Sequence, residues 1–420
     1  MNRRLLMVFL IDALGHRQTS ESGAFAFLPF ENGPVASVCG FSSACIPSLL
    51  TGRLPVDHGH WNMYLRDPEH SVFRRYKPVA ALVGGLLRRR YLARRIIARQ
   101  LRKRIEGYFS LYEVPLHLLA QFDLCEKANL YAPGSLAPWQ TPFDAAEKRG
   151  LAWNAWDWRI PETERRALFT QEVYTGRASF LFYYSPLLDG LAHHHGTRSR
   201  EALECQRDLA RYIEKTVGNA HAIYDEVRTI VCGDHGMADV HAVHDLLAPL
   251  ASLPYRVPED FLYFADATMI RVWYFREGIR QRVEALLASA GCGRVLDDEE
   301  CRRLGILFPD RRYGETLFLA DPGRMLAPSF MGTSPLRAMH GYHPGDVDSH
   351  TVVFSDFPHA PVASIRDVGP LVTAQIETWA GEGARPAGPA PRPGRRAGRK
   401  RGRKKGAARE AALTAARGSS

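Results

Sequence analysis

Three acidic positions in this chain each follow a β-prone apolar run, and two of them come with an imidazole. Asp12 follows the run Leu5 to Ile11. Asp189, with His193 four residues on, follows Ala178 to Tyr184. Adjacent Asp234 and His235 follow Arg228 to Cys232, and His340 in Met339-His340-Gly341-Tyr342 adds a third imidazole. Three carboxylates and three imidazoles suffice for two metal sites of mixed oxygen and nitrogen ligands. Such a set suits zinc, with manganese or magnesium less favoured as imidazoles increase. Two ions roughly 4 Å apart clamp a tetrahedral phosphoryl group. The four-residue spacing lets one helical turn or a tight loop aim Asp189 and His193 at one ion. Neighbours on a strand point to opposite faces, so Asp234 and His235 must lie in a turn, which Gly233 and Gly236 permit. His194, His195, His241, His244 and His343 are read as structural or surface residues.

A nucleophile would come from the stretch Val38 to Met63. Ser42 and Ser43 stand just ahead of an apolar run that reads as a helix and that Thr51-Gly52 ends. A hydroxyl at a helix N-terminus sits among unpaired backbone N–H groups at the positive end of the dipole, a place to bind phosphate or sulfate. Pro47 favours a first helical turn, so the helix is predicted to start close to residue 47.

The elements that must position these groups repeat the order strand, Asp, helix three times. That predicts a doubly wound α/β domain with a mostly parallel sheet and ligands at the strand C-termini. Residues 200–226 read as an amphipathic helix, 315–320 as an edge strand, 351–354 as the last strand and 368–379 as the last helix. The stretch 126–175 is mixed, and Trp153, Trp156, Asp157 and Trp158 receive no role; 246–339 is otherwise unassigned. Between 87 and 105 nine Lys or Arg interleave with Leu87, Leu92, Ile96, Ile97, Leu101 and Ile105 at helical period, a basic amphipathic helix. It could be a solvated face on an inserted cap, lie on an anionic membrane surface, or bind nucleic acid.

The chain has 420 residues and a net charge of +10, but 12 of its 55 basic residues and one acid fall between Arg385 and Arg417. The remainder, 43 basic against 44 acidic, is close to neutral, so the charge belongs to a tail. From Gly381 onward the chain is too poor in apolar residues to fold and is predicted disordered, with acidic lipid or nucleic acid as its electrostatic partners. Seven scattered cysteines without a CxxC pair fit a reducing compartment. Leu5 to Ile11 is too short for a secretory signal and meets Asp12, so a buried first strand is expected. No apolar run reaches the ~18 residues needed to span a bilayer. The expected location is cytoplasmic, peripheral at the membrane if the basic helix binds lipid.

Taken together in this order, I-D-A-L-G, S-S-A-C-I-P-S-L-L-T-G-R-L-P-V-D-H-G, D-G-L-A-H-H-H-G, G-D-H-G-M and M-H-G-Y resemble the alkaline phosphatase superfamily in its type I phosphodiesterase/nucleotide pyrophosphatase branch. The resemblance covers residues 5–343. It implies a three-layer αβα sandwich, with 1–72 and 126–380 as the core, 73–125 as an inserted helical cap and 381–420 as the tail. It implies two divalent ions, zinc first and manganese second. Asp189, His193 and His340 would hold one; Asp12, Asp234, His235 and the nucleophile would hold the other. Counting back from Gly52 places the nucleophile at Ser42, while counting from Pro47 places it at Cys45; Ser42 is preferred, with Ser43 and Cys45 as alternatives. Asn62 stands one position nearer than the branch's oxyanion-stabilising Asn. The implied activity is hydrolysis of phosphate esters through a covalent phospho-enzyme, on a small phosphate ester or nucleotide, with diesters or pyrophosphates favoured over monoesters; the basic helix at 87–105 adds a lipid-linked substrate. A phosphotransferase or mutase, or a phosphonate or sulfate ester hydrolase, are the alternatives on the same site. A sulfatase would want Arg after Cys45-Ile46-Pro47-Ser48, where Leu49 stands. A non-catalytic nucleic-acid-binding protein using the tail is the reading from another class.

Overall fold

The computed structural model describes residues 3–78 and 87–381. The strands of the two larger sheets are, in chain order, β1 (Arg4–Ile11), β2 (Phe30–Val35), β3 (Trp153–Trp156), β4 (Phe180–Ser185), β5 (Glu226–Cys232), β6 (Phe261–Ala265), β7 (Met269–Tyr274), β8 (Gly293–Leu296), β9 (Thr316–Ala320) and β10 (Thr351–Ser355). Five helices matter to the site and its surroundings: α1 (Ser42–Thr51), α2 (Leu87–Leu101), α3 (Leu187–His195), α4 (Arg200–His221) and α5 (Val368–Gly381).

The central sheet has the order β2-β10-β5-β1-β4-β3. Strands β3, β4, β1 and β5 are parallel, and β10 pairs antiparallel with β5 and β2. The continuous apolar run of β1 is explained by burial on both faces. Leu6, Val8 and Leu10 join a core with Leu49 and Leu50 of α1 and Val372 and Ile376 of α5. Leu5, Met7, Phe9 and Ile11 point the other way, into a core with Phe169 of the helix Glu162–Thr175 and Leu209 and Ile213 of α4. The period-2 alternation of one strand thus serves two helical layers.

Three expectations are corrected. Residues 315–320 were expected at a sheet edge, but β9 is interior, paired antiparallel with both β7 and β8 in a second, four-stranded sheet that the pattern did not suggest. Within 126–175, Trp153–Trp156 forms the edge strand of the main sheet, its half-exposed residues masking the alternation. The basic helix ends at Leu101 rather than 105, though Ile105 is still buried. The segment around it packs on the second sheet: Ile97, Leu101, Val114 and Leu118 share a cluster with Leu262, Phe264 and Trp273. Residues 382–420, the predicted disordered tail, lie outside the described residues, as does 79–86.

Candidate active site

The C-terminal ends of β1, β4 and β5 deliver the acidic residues to one place. Asp12 is the first residue after β1, and its N–H donates to Ser185 of β4. The next residue, Ala13, has φ 60°, a left-handed conformation that costs a residue with a Cβ. This bend turns the Ala13 N–H toward Asp234 Oδ1 at 3.3 Å. Asp189 lies in the first turn of α3, and His193 one turn on. Asp234 and His235 occupy the irregular turn after β5. Gly236 there has no space for a side chain, since a Cβ would stand 2.2 Å from Asp348 O and 2.6 Å from His350 O. His340 comes from the far end of the fold, after the short strand Ala338–Met339.

These six side chains meet. Asp189 Oδ1 is 3.2 Å from His193 Nε2 and 3.5 Å from His340 Nε2. His235 Nε2 is 3.2 Å from Asp12 Oδ1 and 3.4 Å from Asp234 Oδ2. The His235 and His340 rings stack at 3.8 Å. Two groups have ligand atoms within 4.8 Å of one another: Asp189, His193 and His340; and Asp12, Asp189 and His235. Asp189 is common to both groups, a detail the family-implied division does not contain. Asp234 touches the second group through His235 alone.

The donor chemistry fits a cation. His193 Nδ1 is 2.9 Å from the Ala338 carbonyl and His235 Nδ1 is 2.9 Å from that of Gly236. A carbonyl accepts only, so each Nδ1 carries the proton, and in the neutral ring Nε2 presents a lone pair. That lone pair faces a carboxylate oxygen in both cases. Asp189 Oδ1 and Asp234 Oδ2 are buried without a hydrogen-bond partner. Two acceptors at 3.2 Å require a positive species between them, a proton or a metal ion. The electrostatics say the same. Burial presses His235 down, but Asp234 and Asp12 override it and hold the imidazole up at about 10. Burial and the neighbouring Asp12 push Asp234 up to about 8. Burial would raise Asp189, yet His193, His340 and His235 pull it well below the carboxylate range.

Of the three candidate nucleophiles, Ser42 has its Oγ against the cluster, 3.4 Å from Asp12 Oδ1 and 3.1 Å from His235 Nε2. Ser43 Oγ donates to the Trp61 carbonyl, and Cys45 is fully buried with Sγ 3.3 Å from Ser37 Oγ. Burial pushes the Cys45 thiol well up, so it holds its proton. The expected helix start near Pro47 is corrected: α1 begins at Ser42, with Pro47 inside it. Ser42 therefore stands at the N-terminus of α1, the positive end of the helix dipole. Asn62 is buried, its Nδ2 donating to Asp266 Oδ2 at 3.1 Å, and Asp266 is in turn paired with the buried Arg271. None of His194, His195, His241, His244 and His343 enters the two groups.

Sequence reasoning passed over two tyrosines. Tyr184 donates its phenol O–H to Asp12 Oδ2. Its position was legible, since β4 ends beside β1 and Tyr184 is in register with Leu10. Tyr108 arrives from the inserted segment, its ring edge-on to Trp158 at 5.2 Å. Partial burial and the carboxylates of Asp189, Asp12 and Glu126 push its phenol up to about 12. No local signal marks Tyr108.

A family model described as type I phosphodiesterase / nucleotide pyrophosphatase matches residues 36–271, more than half of the chain. The chain belongs to this family. It is a phosphodiesterase/pyrophosphatase-type hydrolase, of a kind that typically depends on divalent metal. The fold is that of murine ectonucleotide pyrophosphatase/phosphodiesterase 5, at 15% identity and a TM-score of 0.62, with 89% of this chain and 95% of that one covered. An inactive variant of the murine protein in complex with AMP matches at 16% identity and TM-score 0.61, and the human protein at 13% and 0.61, with the same coverage. No curated protein matches at the level of sequence.

Proposed function

We propose that this family member cleaves phosphodiester or pyrophosphate bonds with Ser42 as nucleophile and the six Asp and His side chains as a two-ion cradle. The observation that carries this is the contact of Ser42 Oγ with both Asp12 and His235, inside the cluster that also holds Asp189, His193 and His340. Asp189, His193 and His340 would hold one divalent ion and Asp12, Asp234 and His235 the other, with zinc favoured over manganese by the three imidazoles. When bound, the ions supply the positive charge that draws a phosphoryl group in and offsets charge developing on its oxygens.

The chain's own groups do the rest. Ser42 Oγ, 3.4 Å from Asp12 Oδ1, attacks phosphorus. The P–O bond to the leaving group breaks as the Ser42 Oγ–P bond forms, and the hydroxyl proton passes to the departing oxygen; water then cleaves the phosphoseryl bond, its OH staying on phosphorus and its other proton going to Ser42 Oγ. First-turn amides of α1 stabilise the equatorial oxygens, whereas the Asn62 Nδ2 is spent on Asp266 Oδ2 and Met269 Sδ. An AMP complex of a structural neighbour supports nucleotides among the substrates.

The test is a screen of purified protein, with zinc or manganese, against aryl phosphomonoester, aryl phosphodiester and dinucleotide substrates. Ser42→Ala should lower kcat on the preferred diester by at least ~10³-fold, while Ser43→Ala and Cys45→Ala stay within about tenfold of wild type. Full activity in Ser42→Ala would end the assignment. Asp234→Asn should lose activity through weakened metal binding.

A further inference from the structure

Helix α2 turns one side inward and leaves the other in solvent. Ala93, Ile97 and Leu101 are buried, and Arg94 beside them donates to the carbonyls of Tyr112 and Val114. At 100° per residue the opposite arc carries Leu92, Arg95, Ile96 and Arg99, with Arg102 and Lys103 continuing it past the helix end. Leu92 is 49% exposed and Ile96 55%. Among the described residues, none of Arg95, Arg99, Arg102 and Lys103 has a carboxylate partner. The chain contains no acid between Lys77 and Glu106.

An ordinary solvated helix does not look like this. The exposed face of α4 mixes both signs, with Arg200 on Glu204 at 2.7 Å and Asp208 between Arg166 and Arg211. On α2 like charges sit side by side around two bare aliphatic side chains. Repulsion among the cations and hydration of Leu92 and Ile96 are both relieved by one kind of surface, which is anionic in its outer layer and apolar just beneath. A polynucleotide satisfies the cations, but it offers the aliphatic pair nothing, and the exposed ring of Tyr91 already lies under Arg95.

We propose that the outward face of α2 docks the protein on an anionic lipid bilayer, with Leu92 and Ile96 entering the headgroup–acyl boundary and Arg95, Arg99, Arg102 and Lys103 meeting lipid phosphates. The inference does not depend on the chemistry assigned to Ser42. It is tested by co-sedimentation of the full chain with vesicles of phosphatidylcholine alone or phosphatidylcholine with phosphatidylserine. Wild type binds the anionic vesicles and not the neutral ones. Arg95→Gln/Arg99→Gln binds them about 25-fold more weakly, about fivefold per cation removed, which corresponds to about 1 kcal/mol each. Leu92→Ser/Ile96→Ser loses about tenfold or more. All four side chains are exposed, so both variants keep the wild-type melting temperature and the wild-type rate on a soluble dinucleotide. Both retain residues 382–420, so a loss of binding belongs to the helix and not to the tail. The proposal is overturned if wild type ignores phosphatidylserine, or if both variants bind as wild type does. It is equally overturned if only the arginine variant weakens, since the face would then be a polyanion site.

Discussion

The Nδ1 protons of His193 and His235 decide what the cluster can hold. Each is spent on a main-chain carbonyl, so in the neutral ring each Nε2 turns a lone pair toward an aspartate. Such outer contacts set tautomer and orientation as firmly as the ligands themselves. Tyr184 does the same for Asp12, holding Oδ2 so that Oδ1 faces Ser42 and His235. Tyr184→Phe removes one hydrogen bond and little volume. It should lower activity or metal affinity about 10- to 100-fold, with the fold unchanged by circular dichroism. Metal titration of the variant and wild type separates the two effects; identical titrations and rates would show that Asp12 needs no such support. That Ser42 Oγ, and neither Ser43 nor Cys45, lies against Asp12 and His235 also belongs to this scale. The sequence offered three candidates within four residues, and only side-chain direction separates them.

Between the elements, two arrangements carry consequences. The bend joining β6 to β7 carries Asp266, whose carboxylate binds the Asn62 amide and the fully buried Arg271. Removing one partner of a buried pair leaves the other charge uncompensated, so Asp266→Ala should cost about 3–5 kcal/mol of stability in denaturant titration. The inserted segment returns to the core at Glu126, which accepts the Tyr108 N–H at 2.7 Å. Burial holds this carboxyl at about 8, with that hydrogen bond and His60 opposing, against about 4.3 in an unfolded chain. Between those values the folded state keeps a proton that the unfolded chain has released. The contribution is therefore fully present below about pH 4 and is lost as pH rises through about 8. Glu126→Gln keeps the acceptor and removes the titration. Its gain over wild type in thermal melts should grow with pH, reaching about 5 kcal/mol near pH 9 and disappearing near pH 4; a gain independent of pH would mean that Glu126 is charged in the fold.

Over the whole molecule, the site is made by three parallel strands, a distant histidine and a helix N-terminus that no single element could bring together. A divalent ion bound there ties β1, β4, β5 and His340 into one unit, and binding only the folded state stabilises it. At a free concentration 100 times Kd, zinc should raise the unfolding free energy by about 2.7 kcal/mol, seen as a higher Tm that chelator reverses. The rise should nearly vanish in Asp189→Asn, because Asp189 belongs to both ligand groups. Much of this was legible in the chain itself. The apolar runs ending in Asp12, Asp189 and Asp234 announced parallel strands with acids at their C-terminal ends, because a strand buried on both faces must be apolar throughout and its ligand-bearing residue must come just past it. The four-residue step from Asp189 to His193 announced one helical turn. The second sheet was hidden, since β6 and β7 pack on the inserted segment while β8 and β9 pack into the main core, and no local period announces either contact. The start of α1 was misplaced because a proline signal describes the preference of one residue, whereas Ala44, Cys45 and Ile46, ahead of Pro47, are buried in the core as part of the helix. Sequence determined which residue types were available and on which kind of element each would sit, since periodicity and turn chemistry are local. Tertiary structure decided which hydroxyl faces the carboxylates, which aspartate is shared and which tyrosine holds Asp12, because side-chain direction at a junction of distant segments is set only when those segments pack.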